Sequence, residues 1–565
     1  MGSLEVASLA EPAHIDTLWS HPLPPAPRHA VTSHIPGWKA LVKLAERDPV
    51  HLSKVVSMYP RILLHKDCAR LGEHIIKLSG LEPDQHGCFL FPRLQIAQAC
   101  VDYITSQNRT DDLETLASSE VSIRAFESSG ADNDTIHVFA VIFPIAKLIH
   151  VMPWWSDTGV AISSRLAQRV LDRLPELHER SLEAVPVQNQ RLEGPYKVLR
   201  ERIAYLAERA PARAREKKVD TSDVYLFQSG MAAIYNVHQH LQRLAQTAER
   251  KSIILGVSFY ETKHVIKKYG TGLKFFPSVT DTTALEAFLR EEQAQGRPVL
   301  SLWTEYPSNP LLSVPDFVHL RKLADELNFV LVVDDTIGGV CNIDALAVAD
   351  VVVTSLTKTF SGHADVMGGS AILNPSSSFY ERLKISFEEE FVNDLYIEDA
   401  RILRHNSDDY LHRLAIINSN AKMVTDWLHE WSKGGRSSIQ HVFYPTASHD
   451  GARDNYEAFM REPTADFTPG YGCLFSLGFK SQEAAAAFYD NLHVYHGPHL
   501  GAHRTLALGY TYLIYGEENE AEFAGTKLSP AQIRVSIGLE DSRELLHVFK
   551  YAVMKADELD AGQGK

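Results

Sequence analysis

The chain has 565 residues, 45% apolar and 22% charged, a globular balance that excludes collagen-like, coiled-coil and wholly disordered architectures. A formal charge of -15, with 56 Lys and Arg against 71 Asp and Glu, argues against nucleic-acid binding; the basic run at 209–218 meets Asp220 and Asp223 at once. Five scattered cysteines without a CxxC pair exclude a disulfide framework, and the sequence holds neither a run of about 18 apolar residues nor a signal-peptide start, so a cytoplasmic protein without membrane contact is expected.

Taken in chain order, residues 1–35 are Pro-rich and lack an apolar period, which predicts a loose leader. Residues 36–185 form a mixed N-terminal region of unassigned role with helical stretches, such as 163–177, where Leu166, Val170, Leu171 and Leu174 share a face. From 186 to 420 short apolar runs alternate with amphipathic helices: a helix at 229–244, then SIILGVSFY, LKFFPSV, a helix at 283–293, PVLSLWTEYP, a helix at 314–328, FVLVVDDT and ADVVVTSLTK. That alternation predicts an α/β domain with a mostly parallel sheet covered on both faces. Residues 421–565 mix helix with the runs CLFSLGF and IRVSIGL and predict a smaller α+β domain.

Ligands of such sheets sit beyond the carboxyl ends of the strands, which directs attention to Tyr260, Asn309, Asp334 and Lys358. A lysine held where a strand meets a small-residue loop can shed its proton and become an amine nucleophile that forms a Schiff base. A buried Asp334 needs a cationic partner, and the protonated ring nitrogen of pyridoxal 5'-phosphate is one. Ser229, Gly230 and Met231 open a helix whose free N–H groups suit a phosphate, with Ser355 and Thr357 as further donors. Each element has a plainer reading: Asp334 and Asn309 as turn residues, Tyr260 as a packing residue, Ser229 as a helix start. Their joint order along successive strand ends favours the chemical one.

The segments TEYPSNPLL, VVDDTIGG and VVVTSLTKTFSGHADVMGGS resemble the Cys/Met-metabolism γ-family of pyridoxal-phosphate enzymes, of aspartate-aminotransferase-like type I fold, nearest to the fungal cystathionine γ-synthase branch with its N-terminal extension. Residues 36–71 resemble that extension, and IRVSIGLEDSRELL resembles the family's C-terminal signature. The resemblance implies that Lys358 carries the cofactor and shuttles protons, with Asp334 on the pyridinium nitrogen and Tyr260 stacked on the ring. It places Ser229, Gly230, Met231, Ser355 and Thr357 on the phosphate, Asn309 on the cofactor oxygen and substrate carboxylate, and Arg534 on that carboxylate as a bidentate clamp.

Two departures stand out. The family takes a Tyr-x-Arg phosphate clamp from a neighbouring subunit; NQRLEGPY aligns there, leaving Arg191 but placing Asn189 where the tyrosine would be. The family's Ser-Leu-Gly segment reads GPHLGAHRT, with His499 at the serine position beside the substrate pocket and His503 and Arg504 behind it. His493, His496, His499 and His503 have no metal-ligand spacing, so no metal is expected. The implied activity is γ-replacement on O-acetyl-homoserine by cysteine, giving cystathionine. The alternatives are a specialised relative using another thiol or a carbon nucleophile, a C–S lyase, and a non-catalytic module of the same fold. A homo-oligomer acting on small amino-acid substrates is implied.

Overall fold

The computed structural model describes residues 9–130, 135–185, 192–245, 250–448, 450–516 and 523–563. Three sheets organise the chain. An antiparallel four-stranded sheet takes β1 (His86–Phe91), β2 (Ser122–Ser129), β3 (Thr135–Pro144) and β4 (Leu177–Arg180) in the order β1-β3-β2-β4. The central sheet has seven strands: β5 (Val224–Phe227), β6 (Ser252–Leu255), β7 (Leu273–Phe276), β8 (Ser301–Glu305), β9 (Val330–Asp334), β10 (Val351–Thr354) and β11 (Gly369–Leu373), ordered β5-β11-β10-β9-β8-β6-β7. Its neighbours pair in parallel except at β11, which runs antiparallel to both β10 and β5. The third sheet joins β12 (Ile439–Phe443), β13 (Leu474–Phe479), β14 (Tyr495–His496), β15 (Leu506–Leu508) and β16 (Gln532–Ser536) in the order β12-β13-β16-β15-β14.

Why the central strands read as unbroken apolar runs is visible in their packing. Leu331, Val333 and Val352 face one core, while Val330, Val332, Val351 and Val353 face the other. Period-two alternation between two dry faces leaves no position for a polar residue until the strand ends. The second core is shared: Phe91, Phe139, Trp154 and Trp155 of the N-terminal region pack with Phe227, Ile254 and Trp303. The extension is thus built into the large domain. Among the described residues no helix is long and apolar enough to cross a membrane.

The leader departs from its expected looseness. It is docked: Leu23, Val31 and Ile35 are buried, and Val31 and Ile35 donate backbone hydrogen bonds to Ala364 and His496 at 2.8 and 2.7 Å. Arg28 forks onto Asp67 at 3.0 Å, and Tyr489 donates its hydroxyl to the Ile35 carbonyl. Proline-rich sequence has little conformational entropy left to lose, so a few apolar anchors and irregular hydrogen bonds suffice to fix it. The boundary at residue 36 dissolves as well. Trp38 and Leu41 continue the same strap, packing on Tyr489, Tyr512 and Tyr510, and the α/β part of the extension begins only near the helix Lys66–Leu78.

Candidate active site

One cleft of about 870 Å³, measured to its open mouth, lies at the carboxyl edge of the central sheet and is lined by residues of all three regions. β9 delivers Asp334 and β8 delivers Glu305, which are register partners across the parallel pair. Lys358 follows β10 on the short turn before Gly362, and Gly230 with Met231 opens the helix Gly230–Leu244. The Ser229 hydroxyl caps that helix by accepting the Ala232 N–H at 3.0 Å.

Lys358 Nζ is buried, donates to the Tyr59 hydroxyl at 3.4 Å and sits 4.5 Å above that ring. Burial lowers its pKa, Arg61 and Arg534 lower it further, and Tyr59 opposes them. Burial alone would raise the Tyr59 hydroxyl, yet the charges of Lys358 and Arg61 hold it below its ordinary value. The amine and the phenol are therefore biased toward sharing a proton. Arg61 stacks 5.5 Å from the Phe259 ring centre and donates to the Ser156 carbonyl at 2.8 Å.

Opposite them, burial raises Asp334, whose Oδ1 accepts the Thr336 N–H at 2.9 Å. Burial and Asp334 push Glu305 up as well, although it accepts N–H bonds from Phe259 and Asn309 at 2.6 and 2.7 Å. Two adjacent buried carboxyl groups with no ion-pair partner among the described residues call for a cation. At the cleft's other end Arg534 donates to Asn309 Oδ1 at 3.3 Å and to the Pro498 carbonyl at 2.7 Å, with its guanidinium 4.3 Å over Tyr510. Burial lowers Arg534 to about 10, which leaves it cationic at neutral pH.

These residues fit pyridoxal phosphate by their donor chemistry. Lys358 would be the amine and Asp334 the anion for a protonated ring nitrogen; the N-terminus of Gly230–Leu244, Ser355 and Arg61, which line the same cleft, would seat the phosphate. The seat is shaped for close approach, since a Cβ on Gly230 would lie 2.6 Å from Ser355 Cβ.

Not every expected residue reaches the cleft. Tyr260 begins the helix Tyr260–Lys268 and packs against His264 and Tyr515, while its neighbour Phe259 lines the cleft. The aromatic face is thus supplied one residue earlier, because helix entry turns the two side chains to different sides. The Thr357 hydroxyl is committed to Gly368, donating to its carbonyl and accepting its N–H, and the Ser229 side chain is spent on Ala232 and the Gly159 carbonyl. Arg191 lies outside the described residues; the cleft receives a Tyr-x-Arg instead from Tyr59-Pro60-Arg61 of the strap. His499 is buried beside Lys358 and Arg534 with both ring nitrogens unpartnered, and burial holds it neutral. His493, His496 and His503 each bond a backbone carbonyl, of Pro12, Leu492 and Pro24.

Glu261, Glu305, Thr336 and Tyr510 also line the cleft and were missed from sequence. Glu305 had a signal, as an acid ending an apolar strand. Tyr59-Pro60-Arg61 had one too, as a Tyr-x-Arg, but it lies about 130 residues from the position where the family pattern directs attention. Glu261 and Tyr510 had none.

The fold and the cleft define a type I pyridoxal-phosphate enzyme. Residues 215–554 match the Cys/Met metabolism PLP-dependent enzyme family, and residues 67–163 match the fungal trans-sulfuration enzyme N-terminal domain. The chain belongs to that family, as a cystathionine γ-synthase-like enzyme. A cystathionine gamma-synthase-like enzyme of Amanita muscaria is 32% identical over 95% of this chain and 97% of its own. An alanine racemase of Aspergillus violaceofuscus is 32% identical over 96% and 97%, and the cystathionine gamma-synthase of Neurospora crassa 29% identical over 95% and 98%. The solved cystathionine gamma synthase of Xanthomonas oryzae has the same fold, with a TM-score of 0.51 and 21% identity over 67% of this chain and 91% of that one.

Proposed function

We propose that this enzyme catalyses γ-replacement on an activated homoserine such as O-acetyl-homoserine. The observation that carries the reading is Lys358 Nζ placed 3.4 Å from the Tyr59 hydroxyl inside a cleft that ends in the Arg534–Asn309 pair. Pyridoxal phosphate bound there supplies an electron sink for carbanion character at Cα and Cβ. Arg534 receives the substrate α-carboxylate, and its bond to Asn309 orients the guanidinium. Lys358 Nζ takes and returns the Cα proton; burial and the charges of Arg61 and Arg534 favour its neutral, proton-accepting form, while Tyr59 accepts its N–H and orients it. Phe259 covers one face of the site and excludes water from it.

Cysteine is the reference acceptor, giving cystathionine. A second reading, a specialised relative with another thiol or a carbon nucleophile, is favoured by the unpartnered His499 buried near Lys358 and Arg534 and by kinship with a relative bearing another activity. Holoenzyme incubated with O-acetyl-homoserine and a panel of nucleophiles, with products identified by mass spectrometry, tests both. Adducts retaining the four-carbon unit are expected. Release of pyruvate and ammonia from cystathionine without any added acceptor would make the enzyme a lyase and overturn the reading.

A further inference from the structure

Glu261 stands in the first turn of the helix Tyr260–Lys268 and lines the cleft, yet its Oε2 is buried without a hydrogen-bond partner. The Tyr510 hydroxyl, which the Tyr260 amide faces, likewise has no acceptor for its own proton. The two groups lie within electrostatic reach of each other. An unmet acceptor and an unmet donor on one wall are costly in a protein that gains nothing from them. A ligand group that satisfies both accounts for them.

The charges around the cleft narrow the identity of that group. Lys358 is assigned to the cofactor and Arg534 to the α-carboxylate of the first substrate. Arg61, the cation within electrostatic reach of Glu261, is assigned to the cofactor phosphate. Among the described residues no other Lys or Arg lines the cleft. A carboxylate on the incoming nucleophile would meet Glu261 with no cation to balance it.

We propose that Glu261 and Tyr510 recognise a hydroxyl or other hydrogen-bond-donating group on the second substrate, and that this nucleophile carries no carboxylate. The proposal rests on the γ-replacement reading. For a thiol acceptor, the net change replaces the Cγ–O bond of the ester by a Cγ–S bond: acetate leaves with the bonding pair, the sulfur then adds at Cγ, and the thiol proton is released to solvent.

The test uses two amine-free thiols of similar size, 2-mercaptoethanol and thioglycolate, with cysteine as reference. Holoenzyme and O-acetyl-homoserine are supplied with each, and thioether formation is followed. Binding of each thiol to the holoenzyme is read separately from the cofactor's visible absorption. A preference for 2-mercaptoethanol of about tenfold or more is expected in kcat/KM and in Kd, shrinking to about threefold in Glu261→Gln, which keeps the side-chain shape. A preference for thioglycolate or cysteine overturns the proposal, as does a hydroxyl preference that Glu261→Gln leaves unchanged. Should no thiol be turned over while the binding preference and its loss in Glu261→Gln remain, the chemistry falls and the recognition site stands. Should cysteine be the best acceptor, the chemistry stands and the recognition site falls.

Discussion

Removal of the Arg61 guanidinium is the sharpest probe of the strap's role. Arg61 is buried, bonds the Ser156 carbonyl at 2.8 Å and stacks 5.4 and 5.5 Å from the centres of the Tyr59 and Phe259 rings. It also interacts with the Tyr59 hydroxyl, and it lines the same cleft as Gly230 and Ser355. One charge-assisted hydrogen bond lost there costs about 1.5–3 kcal/mol, so Arg61→Met should weaken cofactor binding roughly 10- to 150-fold. Met keeps much of the stacked volume, which separates loss of charge from loss of packing. Titration of apoprotein with pyridoxal phosphate, followed by absorbance, gives the Kd, and the apoprotein melting temperature reports packing. Because Arg61 lowers the Lys358 pKa, its removal raises that pKa, and the pH midpoint for cofactor attachment should move to the alkaline side. A Kd within about twofold of wild type and an unmoved midpoint would refute the assignment of Arg61 to the phosphate.

Three further outcomes follow from the same geometry. Lys358→Ala should bind the cofactor without covalent attachment, so that borohydride treatment and denaturation release all of it; retained label would place the attachment elsewhere. Gly230→Ala sets a methyl 2.6 Å from Ser355 Cβ and should weaken cofactor binding about tenfold while circular dichroism is unchanged; equal affinity would show that the seat is wider than drawn. Burial raises Asp335 to about 7, against the bond from Thr354. The native state thus binds its proton more tightly than the unfolded chain, and apoprotein stability falls as pH rises from about 4 to about 7, by at most about 1.4 kcal/mol per pH unit for this group. Asp335→Asn should flatten that slope in denaturant titrations, and an unchanged slope would assign the proton to another residue.

Much of the catalytic half was legible in the chain. Lys358, Asp334 and Gly230 end or follow continuous apolar runs, and in a sheet buried on both faces strand ends are where polar chemistry must collect. Arg534 was legible by its family signature alone, since a single arginine within β16 has no local mark. Tyr260 was misplaced by one residue, because the turn from β6 into the following helix decides which ring faces inward and that turn has no sequence period. The Thr357 and Ser229 hydroxyls bond Gly368 and the helix cap, partners that a hydroxyl at such a position finds without any signal in the sequence.

The amino-acid order alone determined the two-sided α/β core, the amine and acid at its carboxyl edge, and the kind of cofactor they suit, because burial periodicity and strand-end chemistry are local properties. Tertiary structure decided what completes the cleft. It folded a proline-rich leader onto Ala364 and His496, carried Tyr59 and Arg61 some 300 residues along the chain to Lys358, and set Glu261 against Tyr510. Contacts between such distant segments depend on how separate cores pack against one another, and no spacing within any one segment encodes that.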